Sequence, residues 1–128
     1  MRIPPRRAAL LMSAGRAALG AAVLASPANV TARWLGERNA RLPVVRDLAI
    51  SLGARDVALG IAGIYARDDR RLGPRVLAAC AAVDAADVVG TLVARRHLPA
   101  AGVAGTVAVA GGAALYGAAL ARELARAG

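Results

Sequence analysis

Five ionisable residues lie inside stretches of sequence that are otherwise apolar enough to cross a membrane. They are Arg16, Arg55, Asp56, Asp84 and Asp87. A charged side chain near the centre of a bilayer costs roughly 2.5–3.5 kcal/mol on insertion scales, so such residues are rare in membrane helices. They persist where they face other helices and find partners, and some of them form proton paths or ligand sites. We therefore treat these five residues as a candidate intramembrane charge network.

The positions of the charges along the chain predict their pairing. In an antiparallel arrangement Arg16 and Asp84 lie at a similar depth, and Arg55 lies at a similar depth to Asp87. Asp56 is then left over, and the network carries one excess negative charge unless a proton is shared within it. Two interpretations stay open. The pairs fix the register of the helices, or the carboxylates serve a conduction or ligand site.

Four apolar runs predict the elements that position these charges. They cover residues 8–26, 48–66, 76–94 and 100–121. Each holds about 19–22 residues, enough for a helix to span a hydrocarbon core about 30 Å thick. The links between them are short, and the nine residues 67–75 predict that the second and third helices pack directly as an antiparallel hairpin. We expect the chain to break at Gly73-Pro74 before the third helix.

Composition favours packing in lipid over a water-driven core. The chain is 58% hydrophobic but holds one Trp, two Tyr and no Phe, so Ala and Gly supply most of its apolar content. Small residues let membrane helices approach closely. A soluble helical bundle is the alternative, but it needs polar residues on every outer face, and residues 100–121 offer only Thr106 and Tyr116. We interpret Tyr65 and Tyr116 as interfacial anchors near helix ends, and Cys80 as a small packing residue.

The longest link, residues 27–47, predicts a short interfacial helix. Arg33, Glu37 and Arg41 recur at intervals of four and would line one helical face. Val30 and Trp34 lie on a neighbouring face, which predicts that Trp34 sits at headgroup level.

The distribution of Arg predicts the orientation. The formal net charge of +9 comes from Arg without any Lys. The N-terminal segment, the second link and the C-terminal tail hold nine Arg, against six in the first and third links. This bias predicts that both termini are cytoplasmic. Because no basic face interleaved with aromatics is present, nucleic acid is not an expected partner.

The sequence offers no catalytic or cofactor motif. Cys80 and His97 are each the sole residue of their type, so neither a disulfide nor a metal cluster of Cys and His is expected. No phosphate-binding loop, nucleophile elbow or dinucleotide fingerprint occurs. We expect a protein that is not an enzyme and that binds neither cofactor nor metal.

The run Gly53-Ala54-Arg55-Asp56-Val57-Ala58-Leu59-Gly60 resembles the G-x-R-D-x-x-x-G segment of a family of small four-helix bacterial membrane proteins. Asp84 and Asp87 look like the acidic positions of that family's next helix. The resemblance covers residues 52–93 and implies a fold and a membrane location, without an activity.

These observations predict an all-α fold, with four transmembrane helices in an antiparallel bundle around a charged core. The predicted function is that of a multi-pass protein of the cell membrane whose buried Arg/Asp network fixes the bundle. A small transporter or proton-linked carrier that uses the intramembrane carboxylates is the alternative. Expected partners are the lipid bilayer and either a second copy of the chain or another membrane helix.

Overall fold

A computed structural model describes residues 3–127, and this part of the chain is helical without strands. Four long helices and two short ones follow one another, with a 3₁₀ turn at Arg95–His97. The six helices are α1 (Pro5–Ala25), α2 (Pro27–Leu35), α3 (Glu37–Ala40), α4 (Pro43–Ala66), α5 (Leu72–Ala94) and α6 (Ala100–Arg126). Helices α1, α4, α5 and α6 are each long and apolar enough to cross a membrane. The predicted all-α fold with four such helices is confirmed.

Proline residues fix where several helices begin. Pro5, Pro27 and Pro43 each occupy the first turn of their helix, where the missing N–H would have no intrahelical partner. The predicted break at Gly73-Pro74 is wrong, because α5 already begins at Leu72 and takes both residues into its first turn. A Gly-Pro pair would interrupt the interior of a helix, but proline is tolerated in the first turn.

The first link contains two helices where one continuous helical face was expected. Gly36 separates α2 from α3 with a φ of +85°, a backbone conformation that favours glycine. The predicted face through Arg33, Glu37 and Arg41 is therefore interrupted after α2. The second half of that pattern forms an ion pair of 3.7 Å between Glu37 and Arg41, whose side chains are both 82% exposed.

Helices α1 and α4 approach each other so closely that only glycine fits at several contacts. A Cβ added at Gly60 would lie 2.6 Å from both the carbonyl oxygen of Ser13 and the backbone nitrogen of Ala17. A Cβ at Gly20 would lie 2.5 Å from the carbonyl oxygen of Gly53. These contacts join the end of one helix to the start of the other, so α1 and α4 run in opposite directions. The small-residue stripes of the sequence predicted such close contact.

Helices α5 and α6 form the second closely packed pair. Gly117 faces Ala81, and Gly111 faces Val88, so this pair also runs in opposite directions. The expected direct packing of α4 against α5 is much less extensive, since α4 packs mainly on α1 and α5 on α6. Length and hydropathy gave no information on which neighbour each helix prefers. Glycines mark the α1–α4 contact most clearly, because Gly20, Gly53 and Gly60 all face the partner helix at close range.

The start of α1, the end of α6 and the α4–α5 link lie at one end of the fold. Arg6 forms a 3.9 Å ion pair with Asp68, in the link between α4 and α5. The opposite end holds α2, α3 and the 3₁₀ turn, where Asn39 Nδ2 donates a 3.3 Å hydrogen bond to the carbonyl oxygen of His97. This grouping of the connections is the one predicted from the order of the four apolar runs.

Candidate functional site

Arg16 and Asp84 form a buried ion pair that connects α1 to α5. Arg16 Nη2 donates to Asp84 Oδ2. The side chains are only 11% and 7% exposed, respectively. The pairing predicted from depth is therefore confirmed. Because each partner comes from a different closely packed helix pair, this contact holds the α1/α4 pair against the α5/α6 pair.

Asp56 lies at the centre of the charge network, although the sequence left it without a partner. Its Oδ1 atom accepts a 3.1 Å hydrogen bond from Arg16 Nη1 and another of 3.1 Å from Arg55 Nη2. Arg55 Nε adds a third contact at 3.3 Å. Depth along a helix did not predict this arrangement, because it depends on how α4 is rotated toward α1.

Arg55 completes the network by reaching from α4 to α5. Its Nη1 and Nη2 atoms donate to Asp87 Oδ1 and Oδ2 at 3.1 and 2.8 Å, a two-bond geometry that guanidinium and carboxylate groups favour. This is the pairing predicted from depth. The side chains of Arg55 and Asp87 are 31% and 30% exposed, so this pair is less buried than the pair of Arg16 and Asp84.

Two carboxylate oxygens of the network have no hydrogen-bond donor among residues 3–127. The contacts of Asp84 involve Oδ2, and those of Asp56 involve Oδ1. No buried side-chain nitrogen or oxygen in the described part of the chain lacks a partner. Asp84 Oδ1 and Asp56 Oδ2 are therefore not fully buried, although the two side chains are only 7% and 16% exposed, and both residues border a cavity.

A cavity of about 780 Å³ lies between the two helix pairs, and we call it the central cavity. Its wall is built from α1, α2, α4, α5 and α6, and all five members of the charge network border it. Most of the remaining wall is formed by Ala, Gly, Val, Leu and Met side chains. The volume falls within the range of about 300–1,000 Å³ typical of small-molecule sites.

Two aromatic residues belong to this cavity, and the sequence did not place them there. Trp34 Nε1 donates a 2.6 Å hydrogen bond to Thr106 Oγ1, so the indole is drawn toward α6. Tyr116 was interpreted as lying near a helix end, but α6 continues to Arg126 and Tyr116 borders the cavity. The isolated hydroxyl of Thr106 in an apolar run was the signal that could have suggested a partner for Trp34.

The remaining sequence predictions concern single residues. Cys80 is 8% exposed and borders the cavity, in agreement with its interpretation as a small packing residue. Tyr65 is 84% exposed near the end of α4. Among residues 3–127, no cluster of three or more His, Cys, Asp or Glu side chains could hold a metal ion.

Comparisons with known proteins add no further identification, because no family model, curated protein or solved structure matches the chain. The resemblance of residues 53–60 to a family of four-helix membrane proteins stays a prediction.

Proposed function

We propose that this chain is an integral membrane protein whose charge network fixes four spanning helices as an antiparallel bundle. The observation that carries the proposal is the position of the charges. Five ionisable side chains within apolar helices contact one another instead of pointing to the outer surface. Charges in lipid need such partners, whereas a soluble protein has no need to direct its charges inward.

The outer surface of the helices supports the same proposal. Large apolar side chains such as Leu11, Val93, Val109 and Leu115 are between 55% and 79% exposed. Such side chains are exposed on all four long helices, as is ordinary where helices face lipid. The Arg bias of the connections favours a cytoplasmic location for both termini.

Membrane insertion is tested by fractionation. A tagged chain expressed in bacteria should stay in the membrane pellet after alkaline carbonate treatment and should dissolve in mild detergent. Release by carbonate alone would contradict the proposal, because four spanning helices are held by the hydrophobic effect and not by surface charge.

A small carrier is the second candidate, and the central cavity is the observation that favours it. Asp56→Asn separates the two functions because it removes one charge and changes the side-chain shape little. A structural network should lose thermal stability in this variant, whereas a carrier should stay folded and lose transport. Asp47→Asn on the same helix is the matched control, since Asp47 is exposed and joins none of the ion pairs among residues 3–127.

A further inference from the structure

We infer that the central cavity holds one acyl chain of an anionic phospholipid, whose phosphate contacts Arg33 at the edge of the cavity. This inference rests on the proposed membrane location, because a phospholipid reaches the cavity from the bilayer. It adds a specific bound lipid to that location, with its chain in the space between the two helix pairs.

The central cavity opens sideways between α1 and α6, and we call this gap the lateral opening. Leu19 of α1 and Val109 of α6 border the cavity, yet they are 53% and 66% exposed. Gly15 of α1 and Gly112 of α6 also border it, and a Cβ added at either glycine would have no atom within 4 Å. The two helices therefore do not close against each other along this stretch. In a membrane the lateral opening would face the acyl chains of lipids.

Packed residues limit the lateral opening at both ends. At one end, Ala9 of α1 and Leu120 of α6 belong to the same buried cluster. At the other end, the 2.6 Å hydrogen bond from Trp34 Nε1 holds α2 against Thr106 of α6. Helix α6 rises roughly 20 Å between Thr106 and Leu120. One leaflet contributes about half of a hydrocarbon core that is about 30 Å thick, so the opening is long enough for one acyl chain.

The wall of the central cavity suits an apolar chain. Three guanidiniums and three carboxylates border it once Arg33 is counted, so the wall as a whole selects neither a cation nor an anion. Little of the buried charges reaches the surface, since the side chains of Arg16, Asp84 and Asp56 are 11%, 7% and 16% exposed. The remaining wall is largely aliphatic. An acyl chain enters it from lipid without losing water, and supplies van der Waals contacts that an empty cavity lacks.

Arg33 is the one charged residue of this wall that lies outside the charge network. It is exposed on α2 and joins none of the ion pairs among residues 3–127. The hydrogen bond from its neighbour Trp34 to Thr106 places it near one end of the lateral opening. A guanidinium binds phosphate through paired hydrogen bonds, and an anionic lipid has no ammonium group that would compete for its phosphate. Arg33 therefore selects the headgroup, and the aliphatic wall accepts the chain.

The binding experiment uses bromine atoms on the lipid chain to quench the fluorescence of Trp34. Trp34 is the only tryptophan in the chain and borders the central cavity, so a brominated chain in the cavity would quench it. The purified protein in dodecyl maltoside is titrated with phosphatidylglycerol brominated in mid-chain, and separately with phosphatidylcholine that carries the same chains. We expect saturable quenching, with half-saturation at an about fivefold lower mole fraction of phosphatidylglycerol, the factor that one Arg typically adds for an anionic lipid.

A pair of arginine variants tests the headgroup contact. Arg33→Gln should remove the preference for phosphatidylglycerol over phosphatidylcholine and leave the quenching by phosphatidylcholine unchanged. Arg38→Gln is the matched control, because Arg38 is exposed at the same end of the fold and does not border the cavity. A preference that survives Arg33→Gln, or equal quenching by the two lipids in the unmodified protein, would overturn the inference.

A pair of glycine variants tests whether the chain lies in the cavity. Gly112→Leu should raise the half-saturating mole fraction of both lipids by at least about tenfold, because its side chain fills the space that the acyl chain would occupy. Gly90→Leu is the control, since a Cβ there also has no atom within 4 Å but Gly90 does not border the cavity. If Gly112→Leu does not fold, Gly105→Leu replaces it, because Gly105 borders the same cavity and has the same free space.

Three results at the lateral opening have distinct meanings. Unchanged quenching in the cavity-filling variant would place the lipid on the outer surface and overturn the inference. A dimer that Gly112→Leu dissociates, with Trp34 unquenched by either lipid, would make a second copy of the chain the occupant and would also overturn it. Release of the chain from membranes by carbonate would contradict the proposed function itself. Retention in membranes together with either of the first two results would overturn the bound lipid alone.

Discussion

Arg16 of α1 and Asp84 of α5 form an ion pair although 68 residues separate them in the chain. Each belongs to a different closely packed helix pair, and the packing between the two pairs is much less extensive than the packing within each pair. The ion pair therefore adds a connection where direct helix packing is sparse. Asp56 of α4, in the same helix pair as Arg16, adds a second carboxylate to the Arg16 guanidinium.

Removing Arg16 should destabilise the protein strongly. Arg16→Leu leaves the carboxylate of Asp84 buried without its partner, and breaking one side of a buried pair typically costs about 3–5 kcal/mol. Arg16→Leu combined with Asp84→Leu should be less destabilised than the single variant, since no uncompensated charge remains at that contact. Unfolding by sodium dodecyl sulfate in mixed micelles measures both free energies. A double variant as unstable as the sum of the two single variants would show that the residues do not interact.

The pairing of Arg16 with Asp84 followed from the sequence because depth in a membrane helix is set by residue count. The number and approximate limits of the long helices followed from hydropathy for the same reason. The central role of Asp56 did not follow, because it depends on how one helix is rotated about its own axis. Hydropathy likewise did not predict that α4 packs mainly on α1. In a chain so rich in Ala and Gly, many small-residue stripes have the right spacing, and only the structure shows which of them meet.

The position of Trp34 shows the limit of reasoning from residue type. A tryptophan in a basic link predicts an interfacial anchor. The structure adds a contact that this prediction did not include, since the indole donates to Thr106, 72 positions away in the chain. Tyr116 was misplaced for a different reason, since the fourth run was taken to end at residue 121 while α6 continues to Arg126.

Arg55 and Asp87 should contribute less than Arg16 and Asp84. About a third of each side chain is exposed, so water or lipid headgroups can partly compensate either charge when the other is removed. Arg55→Leu should therefore cost about 1–2 kcal/mol, below the cost of Arg16→Leu. A double-mutant cycle with Asp87→Leu should still show coupling, because the two groups share two hydrogen bonds. Strictly additive losses would mean that the contact contributes nothing to folding.

Gly60 should tolerate no side chain. In Gly60→Ala the added Cβ would lie 2.6 Å from backbone atoms of Ser13 and Ala17. Backbone atoms cannot relieve this overlap by a change of rotamer, as a flexible side chain can. We expect a loss of about 1–3 kcal/mol, the usual cost of overpacking. Gly90→Ala is the control, because its Cβ meets nothing within 4 Å and alanine favours a helix. Equal stability of the two variants would contradict the close contact between α1 and α4.

Asp69 should stabilise the start of α5 in a pH-dependent manner. Its Oδ1 accepts 2.8 Å hydrogen bonds from the backbone N–H groups of Leu72 and Arg71, which hold the pKa of that carboxyl below its ordinary value. The lowered pKa means that the stabilisation is present above the unfolded value of about 3.9 and is lost as the pH falls through the folded one. Asp69→Ala should therefore destabilise the protein at neutral pH and have little effect once the carboxyl is protonated.

Asp68→Ala is the control for this pH dependence. Asp68 is 60% exposed, and its surface ion pairs with Arg6 and Arg67 contribute little to stability. Thermal unfolding in detergent at neutral and acidic pH measures both variants. A loss in Asp69→Ala that is the same at both pH values would show that the charged carboxylate has no part in stabilising α5.

The two ends of the fold should face opposite sides of the membrane. Arg41 lies in the connections at one end, and Arg71 lies in the α4–α5 link at the other, beside the N-terminal segment. Both are exposed, so Arg41→Cys and Arg71→Cys, made on a Cys80→Ala background, should react readily with a thiol reagent. An impermeant maleimide should label Arg41→Cys in intact cells and Arg71→Cys only after lysis, because the Arg-richer end is retained in the cytoplasm. The reverse labelling pattern would contradict the predicted orientation in the membrane without contradicting the arrangement of the helices. Labelling of both positions from the same side would contradict four spanning helices.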